Sequence, residues 1–162
     1  MRIKVVTLFP EMVAAGTSFG VCGRAARRGL VDVGTVDPRE FAEDVHRTVD
    51  DRPYGGGPGM VLKYEPVRDA IRSARAELPA GSQVVFLTPQ GRRFDQRVAE
   101  ELASRSGVVL VAGRYEGFDE RLIERFADDE LSLGDYVLSG GETVTSVDLS
   151  AGCIRVDWDD SE

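Results

Sequence analysis

An α/β fold, with a parallel sheet at its core and helices flanking it, is predicted by three features of the sequence. Two short runs are almost wholly apolar, QVVFL (residues 83–87) and VVLVA (residues 108–112), as strands buried on both faces must be. Each is followed by a segment with helical apolar spacing, so strand and helix alternate. Each also stops at a glycine-containing loop, TPQG after the first and GRYEG after the second. A third segment, LSLGDYVLSGGE (residues 131–142), repeats the design: Gly134 and Ser139-Gly140-Gly141 bracket an apolar Tyr136, Val137 and Leu138. A chain of 162 residues is most simply one domain, long enough to bury its own core.

In order, residues 3–8 read as the first strand, with Ile3, Val5 and Val6 as apolar members and Phe9-Pro10 as its end. Residues 12–15 read as a short helix and residues 16–23 as a glycine-punctuated loop. A second short helix, residues 24–28, stops at Gly29, the residue type that closes helices with positive φ. Residues 30–36 alternate as a strand does, and Asp37-Pro38 closes it. Residues 43–60 have no period and run into DDRPYGGGPGM, an irregular loop of the kind that is either functional or disordered. A helix over 65–77 has Val67, Ile71 and Ala74 on one face. The strand at 83–87, a helix over 95–104, the strand at 108–112 and a helix over 119–126 follow. Residues 127–130 then lead to the third loop segment. In parallel sheets of this kind ligands bind at the carboxyl ends of the strands, where all three loops fall.

Composition excludes several classes of function. No apolar run reaches membrane-spanning length and the N-terminus has no signal pattern. Cys22 and Cys153 have neither metal-ligand spacing nor the look of a disulfide framework, which fits the cytoplasm. One histidine, His46, rules out a multi-histidine metal site, and no metal ligands are assigned. The net charge of −8 argues against nucleic acid, but its distribution softens the point. Residues 143–162 hold five acids (Asp148, Asp157, Asp159, Asp160, Glu162) against one base (Arg155), half of the net charge. Elsewhere Arg24, Arg27 and Arg28, and the pair Arg92-Arg93, form local basic groups able to meet phosphates, although by charge alone solvated faces are the favoured reading.

The glycine-rich 55–59 segment follows no apolar strand and lacks Lys-Ser/Thr, so it is neither a nucleotide-hydrolase loop nor a dinucleotide fingerprint. The three strand-end loops instead offer main-chain N–H and C=O groups beside apolar side chains, with few charges. That chemistry suits an adenine-like ring read at its edge. Glu116, next to Tyr115, is the acid best placed beside such a pocket; a helix-start carboxylate is the alternative reading.

Five segments, SFGVCGRA (18–25), TVDDRPYGGGPGMV (48–61), LTPQGRRFDQ (87–96), AGRYEGFDERLIE (112–124) and LSLGDYVLSGGE (131–142), resemble the bacterial tRNA (guanine-N1)-methyltransferases, a trefoil-knot (SPOUT) family. Order and spacing match over nearly all of residues 1–142. The resemblance implies an α/β core whose C-terminal part is tied in a deep trefoil knot, acting as a homodimer. It implies S-adenosyl-L-methionine as cofactor and methyl transfer to N1 of the guanosine immediately 3′ of the anticodon, in the anticodon stem-loop of tRNA. By matching motif, Leu87, Pro89 and Gln90 line the cofactor pocket from the first loop, and Gly113 and Tyr115 from the second. Leu133, Gly134, Asp135, Tyr136, Val137, Leu138, Gly140 and Gly141 line it from the third. Glu116 contacts the target guanine, and Asp50 with Gly55, Gly56, Gly57 and Gly59 approaches the neighbouring base.

The resemblance stops at Glu142. Residues 143–162 depart from the family pattern in a mixed Thr/Ser/Asp stretch that reads as a divergent, acidic and solvated tail. The aspartate that takes the N1 proton in the family belongs to a later segment and is not identifiable here, nor are the apolar helix after GGE and the helical C-terminal domain. The expectation is therefore a methyltransferase of reduced turnover. The alternatives are a knotted cofactor-binding dimer without a competent base and, more weakly, a purely structural module.

Overall fold

The computed structural model describes residues 1–56, 58–115 and 117–134, together with the backbone of two later strands, Val144–Asp148 and Cys153–Val156. The principal strands are β1 (Arg2–Val6), β2 (Asp32–Val36), β5 (Gln83–Arg93), β6 (Gly107–Ala112) and β7 (Asp129–Ser132). They form one sheet in the order β2-β1-β6-β5-β7, with every pairing parallel. The predicted α/β class, a parallel sheet with flanking helices, is the observed one.

Strand periodicity divides the core into two layers. On one face Val84 and Phe86 of β5 and Val109 and Val111 of β6 pack with Val67, Ile71 and Ala74 of α3 (Tyr64–Ala76) and Leu122 of α5 (Glu120–Phe126). On the other, Val85, Val108 and Leu131 meet Val98 of α4 (Gln96–Ala103). Val84, Val85, Phe86, Val109 and Leu122 are wholly inaccessible to solvent. Burying each such side chain contributes about 1.5–3 kcal/mol, which is why the local composition of these strands is so uniformly apolar.

The connections decide where the loops lie. From β5 the chain crosses through α4 to its neighbour β6. From β6 it crosses back through α5, on the opposite face, and passes β5 to reach β7 on the far side. The carboxyl ends of β6, β5 and β7 therefore stand side by side.

Several elements differ from the sequence expectation. Residues 16–23 are mostly helical rather than a loop: α1 (Pro10–Ser18) runs into α2 (Gly20–Arg27), broken only at Phe19, which is extended, and at Gly20, φ +59°. Glycine at 23 lets the two helices close up, since a Cβ there would strike the Ser18 carbonyl. Gly29, φ +67°, does end α2, its N–H donating to Ala26 O at 2.9 Å while Leu30 N–H donates to Ala25 O at 3.0 Å. A 3-10 turn, Pro38–Phe41, follows β2, started by the Asp37 carboxylate accepting from Arg39 N–H at 2.9 Å. Two short strands, β3 (Asp50–Asp51) and β4 (Val61–Leu62), pair antiparallel and turn the glycine-rich segment into a hairpin.

The third parallel strand is Asp129–Ser132, within and just after the stretch read as a connection. The expected strand of Tyr136, Val137 and Leu138, and the expected knot, lie outside the described residues. Residues of the expected acidic tail contribute β8 (Val144–Asp148) and β9 (Cys153–Val156), paired antiparallel. β-branched Val144, Thr145, Val147, Ile154 and Val156 favour the extended backbone there.

Candidate functional site

The first loop is an excursion from β5. Leu87 and Arg92 both pair with Leu131 of β7, so residues 88–91 leave the ladder and return to it. This is why β5 continues to Arg93 where the sequence pattern stops it at Leu87. Two contacts hold the excursion. Gly91 lies on the β7 backbone, where an added Cβ would be 2.5 Å from Leu131 N and 2.6 Å from Glu130 O. The Arg92 guanidinium pairs with Asp129 at 2.7 Å and with Glu101 of α4 at 2.9 Å. Leu87, in register with Ala112 of β6, is left 41% exposed at the sheet end, and Pro89 and Gln90 are exposed beyond it.

The second loop, residues 113–117, leaves β6 beside it. Tyr115 takes φ +63°, a left-handed conformation uncommon for a bulky side chain, and is also 41% exposed. Arg114 lies over the Phe9 ring at the end of β1, 5.0 Å from its centroid, a cation–π contact that anchors the loop toward β1. Phe118 packs edge-on against Phe86, with centroids 5.0 Å apart at 84°. Asp119 then caps α5, its carboxylate accepting from Arg121 N–H at 3.0 Å. The Arg121 guanidinium, bonded to the same carboxylate at 2.6 and 2.9 Å, holds it below the usual carboxylate range, against the opposing effect of burial.

Of the third loop, Leu133 and Gly134 are described. Its start is fixed by Ser132, buried, whose hydroxyl donates to Gly134 O at 2.8 Å, and by Phe94 N–H donating to Ser132 O at 2.7 Å. Asp135, Tyr136, Val137, Leu138, Gly140 and Gly141 lie outside the described residues, as do Glu116 and Gly57.

The hairpin joins this cluster through the second loop. Leu62 N–H donates to Gly117 O at 3.0 Å and Asp119 N–H to Leu62 O at 3.2 Å. Asp50 stands opposite Leu62 in the stem. At the tip, Gly55, Gly56 and Gly59 all have φ between +83° and +92°, and Tyr54 is fully exposed. The structure thus sets the first and second loops at neighbouring strand ends and ties the hairpin stem, with Asp50, to the second loop, while Gly55, Gly56 and Gly59 stand at the hairpin tip. Gly91, against the β7 backbone, and Phe118, bridged to Leu62, were not legible as site residues. A glycine at the end of TPQG reads as a turn, and a phenylalanine before a helix reads as core. Among the described residues, no group of three or more His, Cys, Asp or Glu is placed to hold a metal ion.

The family model for tRNA (Guanine-1)-methyltransferase TrmD matches residues 1–156, beyond the point where the motifs stop. A tRNA (guanine-N(1)-)-methyltransferase of Methylococcus capsulatus is 58% identical over 142 residues, covering 88% of this chain and 57% of that protein. One from Shewanella baltica is 56% identical over the same length, again covering 88% and 57%. The chain thus spans little more than half the length of these relatives. The crystal structure of the tRNA (m1G37) methyltransferase from Aquifex aeolicus superposes with a TM-score of 0.77 at 38% identity, covering 87% of this chain and 63% of that one. This chain belongs to the tRNA (guanine-1)-methyltransferase family.

Proposed function

We propose that the protein transfers a methyl group from S-adenosyl-L-methionine to N1 of the guanosine immediately 3′ of the tRNA anticodon. The observation that carries this reading is the convergence of three strand-end loops at β6, β5 and β7, with the 50–62 hairpin hydrogen-bonded to the middle one. Leu87 and Tyr115, apolar and exposed at neighbouring strand ends, fit an adenine ring, and the loop backbone fits its polar edge. In this reading Leu87, Pro89, Gln90, Gly113 and Tyr115 bind the cofactor, with Leu133, Gly134, Asp135, Tyr136, Val137, Leu138, Gly140 and Gly141 from the third loop. When bound, the cofactor supplies an electrophilic methyl on a positively charged sulfur.

The protein's own task is then positioning. Glu116 contacts the target guanine, and Asp50 with the hairpin glycines Gly55, Gly56, Gly57 and Gly59 receives the neighbouring base. N1 is thereby held in line with the methyl. The partners in this reading are the tRNA anticodon stem-loop and a second copy of the chain in the cytoplasm. Phe19, Val21 and Leu30, apolar and exposed around α2, support self-association.

The test uses methyl-labelled cofactor and unmodified tRNA transcript, with calorimetry of cofactor binding alongside. Label in N1-methylguanosine is expected, and none when that guanosine is replaced by adenosine. Bound cofactor without transfer would favour the binding-module alternative. No heat at high micromolar cofactor would overturn the pocket itself.

A further inference from the structure

Phe118 is the residue through which the second loop and the hairpin touch. Its Cζ points at Gly113, where an added Cβ would lie 2.5 Å away, and the rest of the ring edge would lie at 2.8 and 3.2 Å. Phe86 packs against the same ring in an edge arrangement, with centroids 5.0 Å apart. Meanwhile the Phe118 backbone forms a parallel bridge with Leu62, flanked by the Leu62-to-Gly117 and Asp119-to-Leu62 hydrogen bonds. Leu62 pairs with Asp50, and Lys63 N–H donates to Val49 O at 2.8 Å, so the bridge continues into the hairpin stem. Gly113 is not among the residues of positive φ. Its backbone would accept a side chain, and the ring is what excludes one.

We propose that Phe118 is a positioning residue: its ring sets the height of the second loop at Gly113, and its backbone carries that setting to Asp50 on the hairpin. This rests on the assignment of the loop to cofactor and the hairpin to RNA given above. The ring meets Gly113 at its edge and is packed against Phe86 and the core, so a displaced loop presses on a ring that already has neighbours. The backbone on the other side is hydrogen-bonded, so displacement passes to β4 and is not absorbed by a free loop. Loop and hairpin then behave as one rigid body across which methyl donor and acceptor are aligned.

The test is a double-mutant cycle of Gly113→Ala and Phe118→Leu, read by amide exchange at Leu62 and Asp119 without ligand. Gly113→Ala should accelerate exchange at both amides roughly tenfold, while Ala70 and Ile71 in α3 keep wild-type rates. Phe118→Leu, which removes the ring edge, should also loosen the two amides alone, yet restore them toward wild type when combined with Gly113→Ala. Phe118→Tyr should reproduce Gly113→Ala, because its hydroxyl is added at the atom facing Gly113. In turnover, Gly113→Ala should raise KM for tRNA and lower kcat, with both recovered in the double variant.

Wild-type exchange at Leu62 in Gly113→Ala, or simple additivity in the double variant, would overturn the proposal. If Gly113→Ala does not fold, unchanged exchange in Phe118→Leu alone would overturn it equally. A wild-type protein that binds no S-adenosyl-L-methionine would instead refute the functional reading, with the ligand-free exchange still deciding the linkage.

Discussion

Replacing Gly91 by alanine tests whether the first loop is locked to β7 by close backbone contact. The added Cβ would sit 2.5 Å from Leu131 N and 2.6 Å from Glu130 O, both backbone atoms of a strand. No side chain can rotate away to make room. Reaching ordinary contact requires the two segments to part by roughly 1 Å, enough to lose much of the local packing. Gly91 does not have positive φ, so no backbone strain is added. Overpacking of this kind costs about 1–3 kcal/mol. For a chain of this size that lowers Tm by about 2–12 °C, read by circular dichroism. Because the displaced residues carry the ends of two proposed cofactor loops, affinity for S-adenosyl-L-methionine should fall as well. Gly81→Ala is the control: at φ +83° with open space around it, it meets only the backbone penalty of about 1–2 kcal/mol. It should leave cofactor affinity unchanged. A Gly91→Ala protein with Tm within about 1 °C of wild type would show that β7 yields freely, and the locking argument would be wrong.

Three further outcomes are expected. Phe86→Ala, at a wholly buried ring that also backs Phe118, should cost about 3–5 kcal/mol in urea unfolding. Asp95→Ala removes the carboxylate that accepts from Val98 N–H at 2.9 Å and should cost about 1 kcal/mol, with Asp95→Asn close to wild type. Asp119, with its folded-state pKa below the ordinary 3.8, contributes pH-dependent stability. A lowered carboxylate pKa gives stability that is full above about pH 5 and is lost as the pH falls through the folded value. Asp119→Asn keeps the cap acceptor but not the charge. Its deficit against wild type, measured by denaturation at neutral pH, should shrink at pH 3, and a constant deficit would contradict the assigned cause.

The α/β class follows from local composition alone, because a strand buried on both faces has no polar position to spare. QVVFL and VVLVA could hardly sit elsewhere. The end of α2 at Gly29 was equally legible, since the positive φ it needs is a property of one residue. The motifs of residues 1–142 carried the family in the same way.

What only the tertiary structure decided is where polar segments go. DELS became the edge strand β7 although its period is not that of a buried strand. Asp129 is satisfied from afar by Arg92, while neighbouring Asp128 accepts from Val84 N–H at 2.8 Å. The excursion of residues 88–91 depends on β7 pairing on both sides of it. The joining of hairpin to second loop depends on Leu62 meeting Phe118. Such hydrogen bonds are made between segments far apart in the chain, so the periodicity of neither segment records them. The loops proposed to bear the chemistry could be named from the sequence; the relative placement of the first two exists only once the chain has folded.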